Sequence, residues 1–208
     1  MHGCVIVGDI VKSRKLEDLP AVLGRLKRAL NRINRRHRDD LLGAFKVFGG
    51  DSFEGVLWTP CHAYDVYREI AMALRPARAR CVVAMGEITD LADGNVLEMN
   101  GPVFERAAQR LEEMRKLRSR PKVYLSFVSD MPDQDSLLNA LAMLILAIQE
   151  KWKETTWEVA ESADLGVNEI ARRLGISRME VHRKFSIFGI DAVAQAEREI
   201  QAVLNRMK

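Results

Sequence analysis

Residues Val167 to Phe185 have the sequence VNEIARRLGISRMEVHRKF, which predicts two short helices joined by a tight turn. Gly175 lies between them and can adopt the positive φ of a turn without steric cost. Ser177 can cap the second helix, because its hydroxyl can accept a hydrogen bond from a free backbone N–H group. The apolar residues that would pack the two helices together are Ile170, Ala171, Leu174, Ile176 and Val181. This combination is typical of a helix-turn-helix, which places its second helix in the major groove of DNA.

The outward side of the second helix would then face DNA, and its residues suit that role. Arginine matches the paired acceptors of guanine, so we expect Arg178 and Arg183 at base edges. The other side chains placed to reach bases are Ser177, Met179 and His182. Those that could hold phosphates are Arg172, Arg173 and Lys184. The alternative is a helical hairpin that contacts no DNA, which explains the helices but not the charge of their exposed side.

The overall charge of the chain is too small to drive nucleic-acid binding by itself. The 208 residues carry a net charge of +3, and the segment 167–186 alone carries +3 from five basic and two acidic residues. Binding would therefore depend on this local basic patch. A single unit of this kind binds DNA weakly, so we expect a homodimer on double-stranded DNA.

Composition indicates a globular protein of the cytoplasm. The length suits one large domain or two small ones. Cys4, Cys61 and Cys81 have no zinc-binding spacing, and reduced thiols in a cytoplasmic protein are the simplest account of them. The first residues do not have the basic and then apolar pattern of a signal peptide. The longest apolar stretch, 137–148, is too short to span a bilayer, so we expect no membrane contact.

The first 130 residues predict alternating strands and helices. The expected strands are 4–10, 44–48, 52–58, 80–88 and 122–127, and the expected helices are 18–38, 62–74 and 102–117. Gly49, Gly50 and Asp51 would form the tight turn between the second and third strands. The order β-α-β-β-α-β-α-β predicts a ferredoxin-like core with one added helix and one added strand.

A polar segment with a proline, 130–135, predicts a boundary between domains 1–130 and 131–208. Beyond it we expect only helices: one long helix at 134–155, the helix-turn-helix at about 157–190, and a closing helix at 191–207. The long helix and the closing helix could pack between protomers or on the helix-turn-helix itself, and the sequence leaves both open. The predicted fold class is α+β, with a ferredoxin-like N-terminal domain and an all-α C-terminal domain.

Two acidic residues of the N-terminal domain are candidate metal ligands. Asp9 lies near the end of the first strand and Asp51 in the hairpin turn, and these neighbour each other in a ferredoxin-like sheet. Two close carboxylates favour a divalent cation such as Mg²⁺, which commonly also carries substrate phosphates. Gly49 and Gly50 would let a phosphate approach the backbone closely. The alternative is a strand terminator and an ordinary turn residue.

Three motifs resemble the SatD family, whose members combine such an N-terminal domain with a C-terminal helix-turn-helix. They are GDIVKSR at 8–14, GGDSFEGVL at 49–57 and GPVFERAAQRLEE at 101–113. The N-terminal domain is also similar to the palm domain of class III cyclases and GGDEF proteins. In those proteins one Asp at the end of the first strand and one in the central hairpin hold the metals. Asp9 and Asp51 match these positions, so the resemblance implies a metal-binding, cyclase-like palm.

The resemblance to cyclases fails at the residues that act in the transition state. The palm family has Asn and Arg at the positions that Glu105 and Gln109 occupy here. An acidic residue would repel a triphosphate, and glutamine does not replace the charge of arginine. We therefore predict no catalytic residues. Charged contacts to a phosphate would come from Lys12 and Arg14, and the alternative for these two is a solvated loop. The function expected is a DNA-binding regulator whose palm senses a nucleotide or metal; the alternative is a Mg²⁺-dependent, cyclase-like enzyme tethered to DNA.

Overall fold

The computed structural model describes residues 1–117 and 122–207. Its strands are β1 (His2–Ile10), β2 (Leu41–Phe48), β3 (Ser52–Leu57), β4 (Ala79–Glu87) and β5 (Leu125–Val128). Its helices are α1 (Leu19–Arg36), α2 (Ala63–Leu74), α3 (Pro102–Lys116), α4 (Pro132–Gln149), α5 (Glu154–Glu161), α6 (Val167–Leu174), α7 (Arg178–Ser186) and α8 (Ile190–Leu204). Over the ranges described, no helix combines the length and apolar character needed to cross a bilayer.

The strands form a single sheet in the order β2-β3-β1-β4-β5. Strand β1 pairs antiparallel with both β3 and β4, and β5 joins β4 in parallel. The first four strands therefore have the ferredoxin-like order, with β5 and α3 as the added strand and helix. The α+β prediction is confirmed.

The central strand β1 is buried on both faces, which explains its run of apolar residues. Cys4, Ile6 and Ile10 belong to the core on the side of α1 and α2. Val5 and Val7 point to the opposite side, where they pack with α3. Side chains alternate along a strand, so the next residue on the α3 side after Val7 is Asp9. The sequence pattern thus carries a carboxylate into a buried position.

The helices beyond the sheet differ from the prediction at one point. The prediction of one long helix at 134–155 is wrong, because α4 ends at Gln149 and α5 begins at Glu154. At the break, the backbone N–H of Trp152 donates to the carbonyl oxygen of Gln149 at 3.0 Å, a tight turn that ends the helical ladder. The Trp152 indole donates to the carbonyl oxygen of Phe188 at 2.7 Å, far along the chain. This tertiary contact positions the break, which a helical periodicity does not encode.

The C-terminal helices share one hydrophobic core with the sheet. Helix α4 packs on β5, where the amide of Asn139 donates to the carbonyl oxygen of Phe127 at 2.9 Å and accepts from its N–H at 2.8 Å. Because β5 is an edge strand, this amide satisfies backbone groups that would otherwise be unpaired. Helix α8 contacts α2 through the hydroxyl of Tyr64, which donates to Glu197 at 2.9 Å. The boundary near 130 stays a prediction.

Two glycines provide a matched test of this packing. A Cβ at Gly8 would lie 2.3 Å from the carbonyl oxygen of Arg80 and 2.4 Å from the ring of Phe53. We expect Gly8→Ala to lower the free energy of unfolding by about 2–3 kcal/mol, because backbone and core must shift. Gly24→Ala in helix α1 is the control. There the higher helix propensity of alanine should raise the free energy of unfolding by about 0.5–1 kcal/mol. Urea denaturation of both variants measures this difference, and equal stabilities would contradict the packing described.

Candidate functional site

The turn between α6 and α7 has the local geometry that the sequence predicts. Gly175 adopts φ 65°, ψ 29°, a left-handed conformation that ends α6. The N–H of Ile176 donates to the carbonyl oxygen of Ala171 at 3.1 Å, which closes the helix end. The hydroxyl of Ser177 accepts from the N–H of Glu180 at 3.1 Å and so caps α7. The two predicted helices and their turn are confirmed.

Helix α5 completes a three-helix unit with α6 and α7. The side chains of Val159, Ile170 and Val181, one from each helix, are fully buried. These contacts fix the inner side of α7, because Val181 cannot rotate outward without opening the core. The orientation of the outer side of α7 follows from this packing.

The outer side of α7 is exposed to solvent. The exposed residues include all five that the sequence places near bases: Ser177, Arg178, Met179, His182 and Arg183. Met179 is 80% exposed, which is unusual for a large apolar side chain on a helix that has a buried side. The guanidinium of Arg178 donates to the side-chain oxygen of Asn168 at 3.2 Å, a contact between α7 and α6.

Three arginines of this unit have no carboxylate partner among the described residues. Arg172 is exposed but pairs with Glu169 one turn earlier on α6. Within the part of the chain that the structure describes, Arg173, Arg178 and Arg183 make no salt bridge. The surface therefore presents unpaired guanidinium groups on α6 and on both turns of α7.

Lys184 does not belong to this surface, which corrects the expectation that it holds a phosphate. Its side chain is buried, with its ammonium group 3.4 Å from the hydroxyl of Thr156 and 3.7 Å from the carboxylate of Glu180. The same group lies 5.5 Å from the centre of the Phe188 ring. Lys184 thus ties α7 to α5, and a DNA phosphate cannot reach it.

Asp9, the first candidate metal ligand, is paired with two arginines at the buried end of β1. Its Oδ1 accepts from the Nη1 of Arg80 at 2.9 Å, and its Oδ2 accepts from the Nε of Arg115 at 2.6 Å. Arg80 faces Asp9 across the β1–β4 pair, and Arg115 lies in the last turn of α3. The hydrogen bond with Asp9 raises the pKa of the Arg115 guanidinium above its usual range. The cluster joins the sheet to α3.

Asp51, the second candidate, lies half-buried in the β2–β3 turn. Its carbonyl oxygen accepts from the N–H of Ile10 at 3.1 Å, so the turn does meet the end of β1, as the sequence predicts. Among the residues with described positions, no three His, Cys, Asp or Glu side chains form a group that could hold a metal. A cation at Asp9 would have to displace both guanidinium groups. The residues as arranged do not fit a divalent cation.

The candidate phosphate contacts lie on two adjoining loops at this end of the sheet. Gly49 and Gly50 have φ values of 56° and 94°, and a Cβ at either would meet no atom within 4 Å. Lys12, with φ 55°, and Arg14 are both exposed after β1. The geometry leaves room for a phosphate, and nucleotide binding there stays a prediction.

Sequence reasoning missed the two arginines that pair with Asp9 and one half-buried carboxyl group, Glu54, on the same face of the sheet. Only the strand register shows that Arg80 lies opposite Asp9, and only the packing of α3 shows that Arg115 reaches it. Glu54 is opposite Val7 in the β1–β3 pair and therefore lies on the same face of the sheet as Asp9. Burial raises the pKa of Glu54 to about 7. Strand alternation could have found Glu54, because Phe53 and Gly55 on either side of it face the opposite core.

The helix that matches the cyclase motif uses its charged residues within the molecule. The side chain of Gln109 donates to Glu113 at 3.2 Å. Arg106 donates to the carbonyl oxygen of Met85 at 3.2 Å, and Arg110 to the hydroxyl of Ser126 at 2.8 Å. Both arginines therefore anchor α3 to the sheet.

Comparisons with known proteins found one sequence family and similar solved structures. The sequence model of the SatD family matches residues 4–177. Among solved structures, a bacterial light-regulated adenylyl cyclase is similar, with 16% sequence identity and a TM-score of 0.41. The similarity covers 61% of this chain and 74% of the cyclase chain. A search of curated proteins gives no match.

Proposed function

The chain belongs to the SatD family, and we propose that it binds double-stranded DNA through α6 and α7 and acts as a transcriptional regulator. The observation that supports this most directly is the outer side of α7. There Arg178 and Arg183 are exposed and unpaired, while Val181 fixes the helix from inside. A helical hairpin with a purely structural role does not need this asymmetry of charge.

The proposed contacts divide into two kinds. Arg178 lies in the first turn of α7 and Arg183 near its second turn, where side chains reach base edges in the major groove. Arg172 and Arg173, on α6, would contact phosphates beside the groove. The N-terminus of α7 adds free N–H groups and a partial positive charge, which favour a phosphate nearby.

We propose that two copies pair through α4. Leu137 and Leu144 on this helix are 51% and 56% exposed, although Leu138 and Ile145 beside them are buried in the core. Leu141 and Ile148, which are half-buried against the molecule's own core, continue this row at intervals of four and three, the spacing of a helix seam. Helix α8 instead packs within the molecule. The two recognition helices of a dimer would then contact half-sites about 34 Å apart.

A double substitution on α4 tests the dimer. We expect Leu137→Glu with Leu144→Glu to convert the dimer to a monomer, because buried like charges would face each other across the seam. Sedimentation equilibrium measures the mass. Leu97→Glu is the matched control, since Leu97 is equally exposed, at 50%, but lies in the N-terminal part. An unchanged mass in the double variant would show that α4 is not the interface.

The palm has the role of a sensor in this proposal. Its candidate nucleotide contacts are Gly49, Gly50, Lys12 and Arg14. The enzymatic alternative gains no support from the geometry, because two arginines occupy Asp9 and the transition-state positions hold Glu105 and Gln109.

Selection of genomic fragments by the purified protein tests the function, with binding repeated at a second, higher salt concentration. We expect a few inverted repeats to be enriched at both salt concentrations. Random fragments that are lost steeply with salt would indicate phosphate contacts alone and would contradict a specific regulator. Recovery of no fragment would contradict DNA binding altogether.

A further inference from the structure

A cavity of about 340 Å³ lies where the sheet domain meets the C-terminal helices. Its walls come from α2 and the loop that follows it, from the residue before β5, and from α4, α5 and α8. Cavities of this size, lined by apolar groups and a few polar ones, are typical small-molecule sites. This one is separate from both the outer side of α7 and the polar cluster around Asp9.

Aromatic side chains form much of the wall. Trp152 and Trp157 meet edge to face, with their ring centres 4.8 Å apart. Tyr67 from α2 and Tyr124, the residue before β5, also line the cavity. Rings arranged in this way offer faces and edges against which a flat ligand can stack.

The cavity wall contains three arginines and three glutamates, but the glutamates pair with only two of the arginines. Arg75 donates to Glu154 and to Glu161, each at 2.7 Å, and lies 4.3 Å from the centre of the Trp157 ring. Arg68 lies 3.7 Å from the carboxylate of Glu197.

Arg78 is the remaining cation in the cavity wall. Its guanidinium lies 5.1 Å from the centre of the Tyr124 ring, and it has no carboxylate partner in ranges 1–117 and 122–207. A half-buried, unpaired guanidinium beside aromatic rings favours an anionic partner, and its planar donors match a carboxylate.

We propose that this cavity binds a small aromatic carboxylate, with the ring among the tryptophans and tyrosines and the carboxylate on Arg78. The ring supplies apolar contact area and the carboxylate supplies charge for the one unpaired cation. A neutral aromatic would leave Arg78 uncompensated, and an aliphatic acid would leave the aromatic walls unfilled.

Hydrogen bonds and packing contacts connect the cavity wall to α7. Trp152 contributes to the cavity wall, and its indole N–H donates to the carbonyl oxygen of Phe188, two residues after α7 ends. Arg75 ties α5 to the loop after α2, and α5 packs directly on α7. A ligand that contacts these side chains would therefore change the relative free energies of the positions that α7 can adopt. Its effect on DNA affinity rests on the proposed function, whereas its binding does not.

Calorimetry with 2-naphthoate and its neutral analogue 2-naphthamide tests the binding on the full chain. We expect naphthoate to bind at least about tenfold more tightly, the effect of one charge-assisted pair. Arg78→Met should remove this preference while keeping the aliphatic stem and the fold. Arg28→Met, an exposed arginine on α1, is the control and should bind as wild type does.

Three results would overturn the proposal. They are equal affinity for naphthoate and naphthamide, an unchanged preference in the folded Arg78→Met variant, and no binding of naphthoate, benzoate or indole-3-acetate up to millimolar concentration. Thermal unfolding of each variant shows whether it is folded.

Hydrogen exchange without DNA tests the connection to α7, so that its outcome does not depend on DNA binding. We expect naphthoate to slow amide exchange at the end of α7 in the wild type. Trp152→Phe keeps a ring in the wall but removes the donor to Phe188, so this protection should disappear there. Protection that persists in Trp152→Phe, or that is absent from the wild type, would overturn the connection.

Discussion

Replacing Arg178 and Arg183 together by alanine is expected to lower the affinity for a selected DNA site by about 10²–10³-fold. Each arginine that pairs with a guanine contributes about 1–3 kcal/mol of discrimination, and both are exposed on the same helix side. The fold should be unaffected, because neither side chain is buried. Fluorescence anisotropy on the selected duplex and on a scrambled duplex measures the loss.

Arg173→Ala is the matched control, because this residue is also exposed and unpaired but lies on α6. It should weaken binding to both duplexes alike and reduce the salt slope by about one. The double variant should instead lose the preference for the selected duplex. Wild-type affinity and preference in the double variant would remove α7 as the recognition helix.

Asp9→Asn is expected to lower the free energy of unfolding by about 2–3 kcal/mol. The Asp9 side chain is only 6% exposed, and the substitution removes its negative charge. The guanidinium groups of Arg80 and Arg115 would then lack their shared counter-charge. Both arginines retain some access to water, at 19% and 41% exposure, which keeps the loss below that of a fully buried pair. Urea denaturation at neutral pH measures it.

Asp51→Asn distinguishes the pairing of Asp9 with two arginines from a metal site shared by Asp9 and Asp51. Asp51 is half-buried in a turn and makes no salt bridge with any residue that the structure describes, so its substitution should change stability by less than about 0.5 kcal/mol. A shared metal site would give a different result: Mg²⁺ would raise the unfolding temperature of the wild type, and both variants would lose that increase. Such a result would contradict the arginine pairing of Asp9.

Much of the fold could be predicted because its signals are local. The alternation in β1, the Gly-Gly-Asp turn and the capping of α7 by Ser177 each depend on residues within a few positions of one another. The burial of Lys184 was also encoded locally, since it lies three residues after Val181 on the same side of α7. The charge of Lys184 indicates a phosphate contact, but its position on the helix decides that it is buried.

The candidate sites were less predictable because their contacts join distant parts of the chain. Arg80 is 71 residues from Asp9, and Arg115 is 106 residues from it. No periodicity relates such positions; the register of β1 on β4 and the angle of α3 decide that they meet. The same holds for the cavity, whose walls combine α2 with α5 and α8.

The sequence by itself determined the order of the elements, the turn of the helix-turn-helix and the side of α7 that carries arginine, because side-chain period and capping act over a few residues. Tertiary structure alone decided that α4 ends before Trp152, that Asp9 is held by two arginines and that Arg78 enters an aromatic cavity unpaired. These features depend on which surfaces pack together, and packing selects among the local structures that the sequence allows.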